Sequence, residues 1–176
     1  MIDIETLDTA LTAAIVSVGA VVFDPRGEDI QESFSLTIDE KSNRFHGRTV
    51  SDSTIAWWAQ QSSEAQEATF GGPHTELTDA MRSLTTWINR LQPTCTRVWA
   101  QDPDFDVSIL AHCCQGLRII WPFKFWENRS VRTVKELAYP NGDFPPIAMD
   151  GAKHDALADA KAQVIAVQHG FWILGA

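Results

Sequence analysis

The run AAIVSVGAVVF, Ala13 to Phe23, constrains this chain more than any other stretch. It is uncharged and rich in β-branched residues, so it reads as a strand at the centre of a sheet. The segments on either side must then supply its neighbours. Ahead of it, MIDIE is a short strand in which Ile2 and Ile4 share one face and Asp3 and Glu5 the other. Behind it, DPRGED is a turn by its proline, glycine and aspartates. IQESFSLTI then reads as a third strand, with Ile30, Phe34, Leu36 and Ile38 in imperfect alternation. Together the three predict an antiparallel meander.

Further along, residues 39–50 are polar and predict a loop. SDSTIAWWAQQ places cap residues ahead of an apolar cluster, which predicts a helix starting near Ser51 to Ser53. In ELTDAMRSLTTWINRL the apolar positions Leu77, Met81, Leu84, Ile88 and Leu91 recur at helical spacing. TRVWAQ is a short strand. DPDFDVSILAHCC predicts a helix with Pro103 in its first turn and acids at its start. SVRTVKELA is a short helix. HDALADAKAQVIAVQHGFWIL is a long terminal one, weakened in its last third by Gly170. Strands first, then helices alternating with strand, predict one α/β domain over residues 1–176. Its mixed sheet, three antiparallel strands followed by parallel ones, is flanked by helices, and the three-strand start matches the ribonuclease H-like arrangement.

The first strand carries a conflict. Asp3 and Glu5 are like charges one repeat apart, and ionised carboxylates are costly to bury unless paired or bound to a metal. Taken alone, such a pair is also what a solvated edge strand displays. Asp106 follows a strand near a helix start, with Phe105 before it and Val107, Ile109 and Leu110 after it, so it sits on a packed element. Its bland reading is a first-turn acid facing the helix dipole. His154 and Asp159 are five residues apart and diverge by about 140° on a regular helix. They meet at one site only if His154 lies in the lead-in loop, which Gly151 favours, and Asp159 in the first turns.

Four carboxylates from three elements plus a histidine are a recipe for two divalent cations, roughly 3.5–4 Å apart, clamping a phosphoryl displacement. Hard oxygen ligands select Mg²⁺, with Mn²⁺ able to substitute, and the histidine can take a proton from the attacking water. The net charge of −9 argues against general duplex binding. It leaves room for binding a nucleic-acid end where metals supply the positive charge. Cys95, Cys113 and Cys114 contain no C-x-x-C pair and predict reduced, structural thiols, with the HCC run at His112 as core filler. No apolar run reaches membrane-spanning length, which predicts a soluble, cytoplasmic chain without a membrane partner.

These residues carry a family resemblance. Asp3-Ile4-Glu5-Thr6, Phe105-Asp106 and His154 to Asp159 resemble, in order and separation, the three motifs of the DEDDh (DnaQ-like) 3′–5′ exonucleases. STIAWWAQQS, VWAQDPDFDVSIL, SVRTVKELA and HDALADA are similar to the branch containing phage DexA-type exonucleases and mycobacterial exoribonuclease AS. The resemblance implies removal of nucleoside 5′-monophosphates from a 3′ end, in a bacterial or phage-infected cell. It implies that Asp3, Glu5, Asp106 and Asp159 bind two Mg²⁺, with His154 as general base. It also places Thr6 at the terminal 3′-hydroxyl and Leu7 against the terminal base, and it implies a homodimer. Relatives differ in having Gly at Asp8, Asn-Gly at Gln101-Asp102, and more residues before the first acid. Only Met1 and Ile2 precede Asp3, which predicts a shortened first strand and weakened metal affinity there.

For the remaining substrate contacts, Trp57 and Trp58 are adjacent on a helix, so one can face the core and the other offer a stacking surface. Phe105 borders the site as the neighbour of Asp106. Arg118, Lys124, Arg129, Arg132 and Lys135 form a local cationic excess suited to a single-stranded tail or 3′ overhang, with Arg132 the leading phosphate contact. The apolar GFWILG end offers either a dimer surface or core. Two other readings stand beside the exonuclease: a catalytically weak module that binds nucleic-acid ends, and an oligoribonuclease-like enzyme for very short oligomers.

Overall fold

A computed structural model describes residues 1–92, 94–147, 151 and 153–176. Strand β1 (Ile2–Thr6) pairs antiparallel with β2 (Ile15–Phe23), which pairs antiparallel with β3 (Ile30–Ile38), as the meander predicts. Asp3 stands opposite Gly19 and Glu5 opposite Ser17. The first strand is long enough to hold both acids within the sheet: Met1 is already buried and pairing with β2 starts at Ile2.

Three helices follow β3: α1 (Glu40–Phe45), α2 (Asp52–Trp58) and α3 (Ser63–Phe70). The loop predicted over residues 39–50 is therefore partly helical. Asp39 caps α1 through the N–H groups of Lys41 and Ser42. Asn43, fully buried, then bonds both the N–H and the carbonyl of Ile15. Polarity there marks a cap and a buried bracket rather than a loop. Strand β4 (His74–Thr75) adds parallel to β3, and α4 (Leu77–Leu91) follows it. Strands β5 (Val98–Ala100) and β6 (Asn128–Ser130) form a separate parallel pair, with β5 lying against β1. Between them runs α5 (Asp106–Gly116), and after β6 come α6 (Val131–Ala138) and α7 (Ala156–Leu174). Helix α5 begins at Asp106; Pro103 lies in the turn before it, where the Asp102 carbonyl accepts the N–H groups of Phe105 and Asp106. The result is an α/β architecture with a mixed sheet.

Both faces of the sheet are covered. Ile2, Ile4, Val18 and Ala20 pack with Leu77, Met81, Leu84 and Ile88 of α4 and with Ile109 and Leu110 of α5. Met1 and Val21, on the opposite face, pack with Val131 and Val134 of α6 and Val164 and Val167 of α7. Asp3 and Glu5 share that second face, so they point under α7 rather than into open solvent. Gly170 does not end α7. A β-carbon there would stand 2.5 Å from Val134 Cγ1, so its bareness lets α6 and α7 approach. The helix closes only at Gly175, in the left-handed region at φ 65°. Its last turn leaves Trp172, Ile173 and Leu174 exposed, so these GFWILG side chains are surface and not core. Among the described residues no helix is long and apolar enough to cross a membrane.

Candidate active site

Three elements bring the predicted acids together. Strand β1 presents Asp3 and Glu5 one repeat apart. Helix α5 presents Asp106 from its first residue, and its Oδ1 accepts the Ile4 N–H between the two strand acids at 3.3 Å. Helix α7 presents Asp159 from its first turn. All four line one cleft of about 780 Å³, together with His154.

The His154 arrangement follows the condition set by its spacing. Asp155 caps α7 by accepting the N–H groups of Leu157 and Ala158, which leaves His154 in the lead-in loop. There it adopts φ 65°, a left-handed conformation that few non-glycine residues take. Two bonds hold it: its N–H donates to Asp159 Oδ2 at 3.1 Å, and its carbonyl accepts the hydroxyl of buried Thr69. The ring stands edge-on to Trp57 and Trp58, at centroid distances of 4.9 and 5.9 Å. Its Nδ1 lies 3.9 Å from Glu5 Oε1. Ligand atoms of Glu5, His154 and Asp159 all fall within 4.8 Å of one another.

Electrostatics mark this cleft as short of positive charge. Burial, then Asp106, Glu5 and Asp159, push the Asp3 carboxyl well above its ordinary range. Burial followed by Asp159 and Asp106 raises Glu5 to about 9. Burial raises Asp106 to about 7 against the backbone N–H bonds that hold it down. Asp159 is raised as well, chiefly by burial. Burial and then neighbouring Lys153 lower His154, keeping its imidazole neutral near pH 7. Crowded, buried oxygens with raised pKa values are what a divalent cation would relieve, and this donor set fits Mg²⁺ or Mn²⁺.

The predicted substrate contacts divide. A smaller pocket of about 340 Å³, sharing Glu5 and Phe105 with the cleft, is lined by Thr6, Trp57 and Trp58. Trp57 is 41% exposed and lines that pocket; Trp58 is 4% exposed and donates Nε1–H to the Thr6 carbonyl. The stacking reading therefore belongs to Trp57 alone. Leu7 is also corrected: it is buried among Ala14, Val16 and Trp58 and cannot wedge against a base. The pairing register shifts between Glu5 and Thr6, with Val16 the extra residue on β2, and the Leu7 backbone is then held by Ala14 and Ser51. The Thr6 hydroxyl donates to the Asp8 carbonyl at 2.7 Å. Arg132 lines the cleft, but its Nε is taken by Asp102 Oδ2 at 2.6 Å.

Several contributors escape the sequence reading. Gln163, on α7, donates Nε2–H to Asp3 Oδ1 at 2.7 Å across 160 positions. Thr69 secures the His154 carbonyl. Gly19 lies directly under the start of α7, where a β-carbon would overlap the Ala156 carbonyl group and the Leu157 nitrogen. Only the apolar run around Gly19 hints at this, since a glycine inside a strand often marks close backbone approach. The HCC run is core filler as predicted: Cys113 and Cys114 are buried, and His112 bonds Arg48 through Nδ1 at 3.0 Å.

Comparison with known proteins adds two findings. The family described as "3'-5' exoribonuclease Rv2179c-like domain" matches residues 1–171. An exodeoxyribonuclease of Enterobacteria phage T4 is 25% identical over 198 residues, covering 96% of this chain and 87% of the phage protein.

Proposed function

We propose a two-metal mechanism for this chain, which belongs to the 3′-5′ exoribonuclease Rv2179c-like domain family and is a 3′–5′ exonuclease. One observation carries the proposal: Asp3, Glu5, Asp106 and Asp159 converge in one cleft where burial raises all four pKa values and repulsion from the other site acids adds to it at Asp3 and Glu5. In this reading the four carboxylates hold two Mg²⁺, or Mn²⁺ in its place. The bound cations would polarise the phosphodiester and neutralise charge on the attacking and leaving oxygens.

The chain's own groups do the rest. His154, neutral and held by its backbone bonds and the two tryptophan edges, takes the proton from the attacking water. The water oxygen bonds to phosphorus, the bond to the upstream 3′ oxygen breaks, and a nucleoside 5′-monophosphate leaves. The terminal base enters the pocket beside Trp57 and Phe105, and Thr6 lies next to the terminal 3′-hydroxyl. A single-stranded end suits a cleft walled by α6 and α7 better than a duplex does, given the net charge of −9. The position of β5 against β1 supports the ribonuclease H-like order β4-β3-β2-β1-β5-β6. A second copy of the chain, seated on the exposed end of α7, is the homodimer we propose. A monomer in sedimentation at micromolar concentration would contradict that assembly.

The test of the mechanism is a 5′-labelled single-stranded oligonucleotide, as RNA and as DNA. With Mg²⁺ a ladder of shortened products is expected from at least one of them; with EDTA none is. A His154→Ala variant should still bind Mg²⁺ and lose kcat by roughly 10²–10⁴-fold, while the acidic limb set by ionisation of the raised carboxyls stays. An unchanged kcat would remove His154 from the role of base.

A further inference from the structure

The cleft has an apolar wall to which Trp57 does not contribute. Phe144, Pro145, Pro146 and Ile147 line it, next to Lys135 and Arg132 of α6. Phe144 is half-buried and steadied edge-on by Tyr139 at a centroid distance of 5.1 Å. Lys135 Nζ sits 4.3 Å from the centre of the Phe144 ring. That cation has no acidic partner among the described residues, whereas Arg132 is engaged by Asp102.

We propose that Phe144, with Lys135 beside it, forms the subsite for the nucleotide upstream of the scissile bond. The inference rests on the exonuclease reading of this same cleft and extends it from the departing nucleotide to the one left behind. Two distinct apolar surfaces border the acids. Trp57 lines the smaller pocket and not the cleft, Phe144 with Pro145 and Pro146 lines the cleft and not the smaller pocket, and Glu5 and Phe105 belong to both. A substrate whose scissile phosphate sits over the acids has one base on each side of it. The departing base takes the smaller pocket, so the remaining base meets the Phe144 wall. Lys135 then faces the backbone phosphate that follows. Aromatic stacking tolerates any base, and a lysine reads charge without sequence, so this subsite gives affinity and no base preference. It also explains the Asp102–Arg132 pair, which removes one cation from the cleft while leaving Lys135 to make the phosphate contact.

Two substrates separate this subsite from the chemistry. One is a trinucleotide, which has an upstream base and phosphate. The other is the methyl ester of a nucleoside 5′-monophosphate, whose leaving group has no sugar, base or aromatic ring. Phe144→Ala should raise KM for the trinucleotide on the order of tenfold with kcat little changed, and leave kcat/KM for the ester unaltered. Lys135→Met should do the same and flatten the salt dependence of trinucleotide cleavage. Equal losses on both substrates would mean that the wall only supports the fold, and unchanged trinucleotide kinetics would mean that no base rests there; either overturns the proposal. A wild-type protein inactive on both substrates with Mg²⁺ and Mn²⁺ would instead overturn the exonuclease mechanism on which it stands.

Discussion

A Gly19→Ala variant is expected to lose most of its exonuclease activity and to melt at a lower temperature. Gly19 is paired with Asp3 in the register of β1 and β2, and its α-carbon faces the Ala156 carbonyl. The added methyl has no flexible side chain to push aside, only helix backbone. Overpacking of this kind costs about 1–3 kcal/mol. The larger consequence is positional: α7 must lift from the sheet at the end that carries Asp159 and anchors His154, while Asp3 and Glu5 stay on β1. A displacement of about 1 Å between catalytic groups can cost on the order of a hundredfold in rate. Gly116→Ala is the control, because a β-carbon there meets nothing within 4 Å. Thermal melting and oligonucleotide cleavage measure both effects. Wild-type behaviour in Gly19→Ala would mean that the close approach of α7 does not position the site.

Removing an acid from the site should raise stability while it abolishes activity. Glu5 and Asp106 have carboxyl pKa values raised from 4.5 and 3.8 to about 9 and about 7. In that interval the unfolded chain binds fewer protons than the folded one, so stability falls as pH rises. The penalty is absent below the unfolded values and complete above the folded ones. Metal-free protein should therefore lose stability steadily between about pH 4 and pH 9. Asp106→Asn removes one ionising group while keeping an oxygen for the Ile4 N–H. At pH 8 and in EDTA this variant should melt above wild type. Its activity with Mg²⁺ should fall at least about a hundredfold, since loss even of outer partners of metal ligands costs about 10–100-fold. Added Mg²⁺ should stabilise wild type more than the variant. A variant that is both less stable in EDTA and fully active would contradict the account of the acids.

How much of this is legible in the sequence follows the range of the interactions. The meander is readable because β2 is apolar along its length and turn residues follow it. The cap at Ser51 is readable because a cap is a local hydrogen bond, and Asp155 caps α7 in the same way. Asp155 also explains how His154 and Asp159 can meet despite their spacing: the cap starts the helix just after the histidine, which is left free to turn back. Long-range features are hidden. Nothing near Gln163 reports that its partner is Asp3, and Gly19 is needed only because α7 returns across it. Leu7 departs from the placement the resemblance implies because its backbone is bonded to Ala14 and Ser51, which sets its side chain beside Val16 and Trp58. Helix α1 reads as a loop because its polar residues serve as cap and bracket, roles visible only once Ile15 stands beside Asn43.

Calorimetric titration of the intact protein with Mn²⁺ or Mg²⁺ reads whether the four carboxylates form a cation site. Measured near pH 7 in two buffers of different ionisation heat, wild type should bind two ions per chain and release protons, because the raised carboxyls must ionise to bind. Asp106→Asn should bind fewer ions, or bind them more weakly, and release fewer protons. Absence of saturable binding in wild type, or identical binding and proton release in the variant, would contradict the claim.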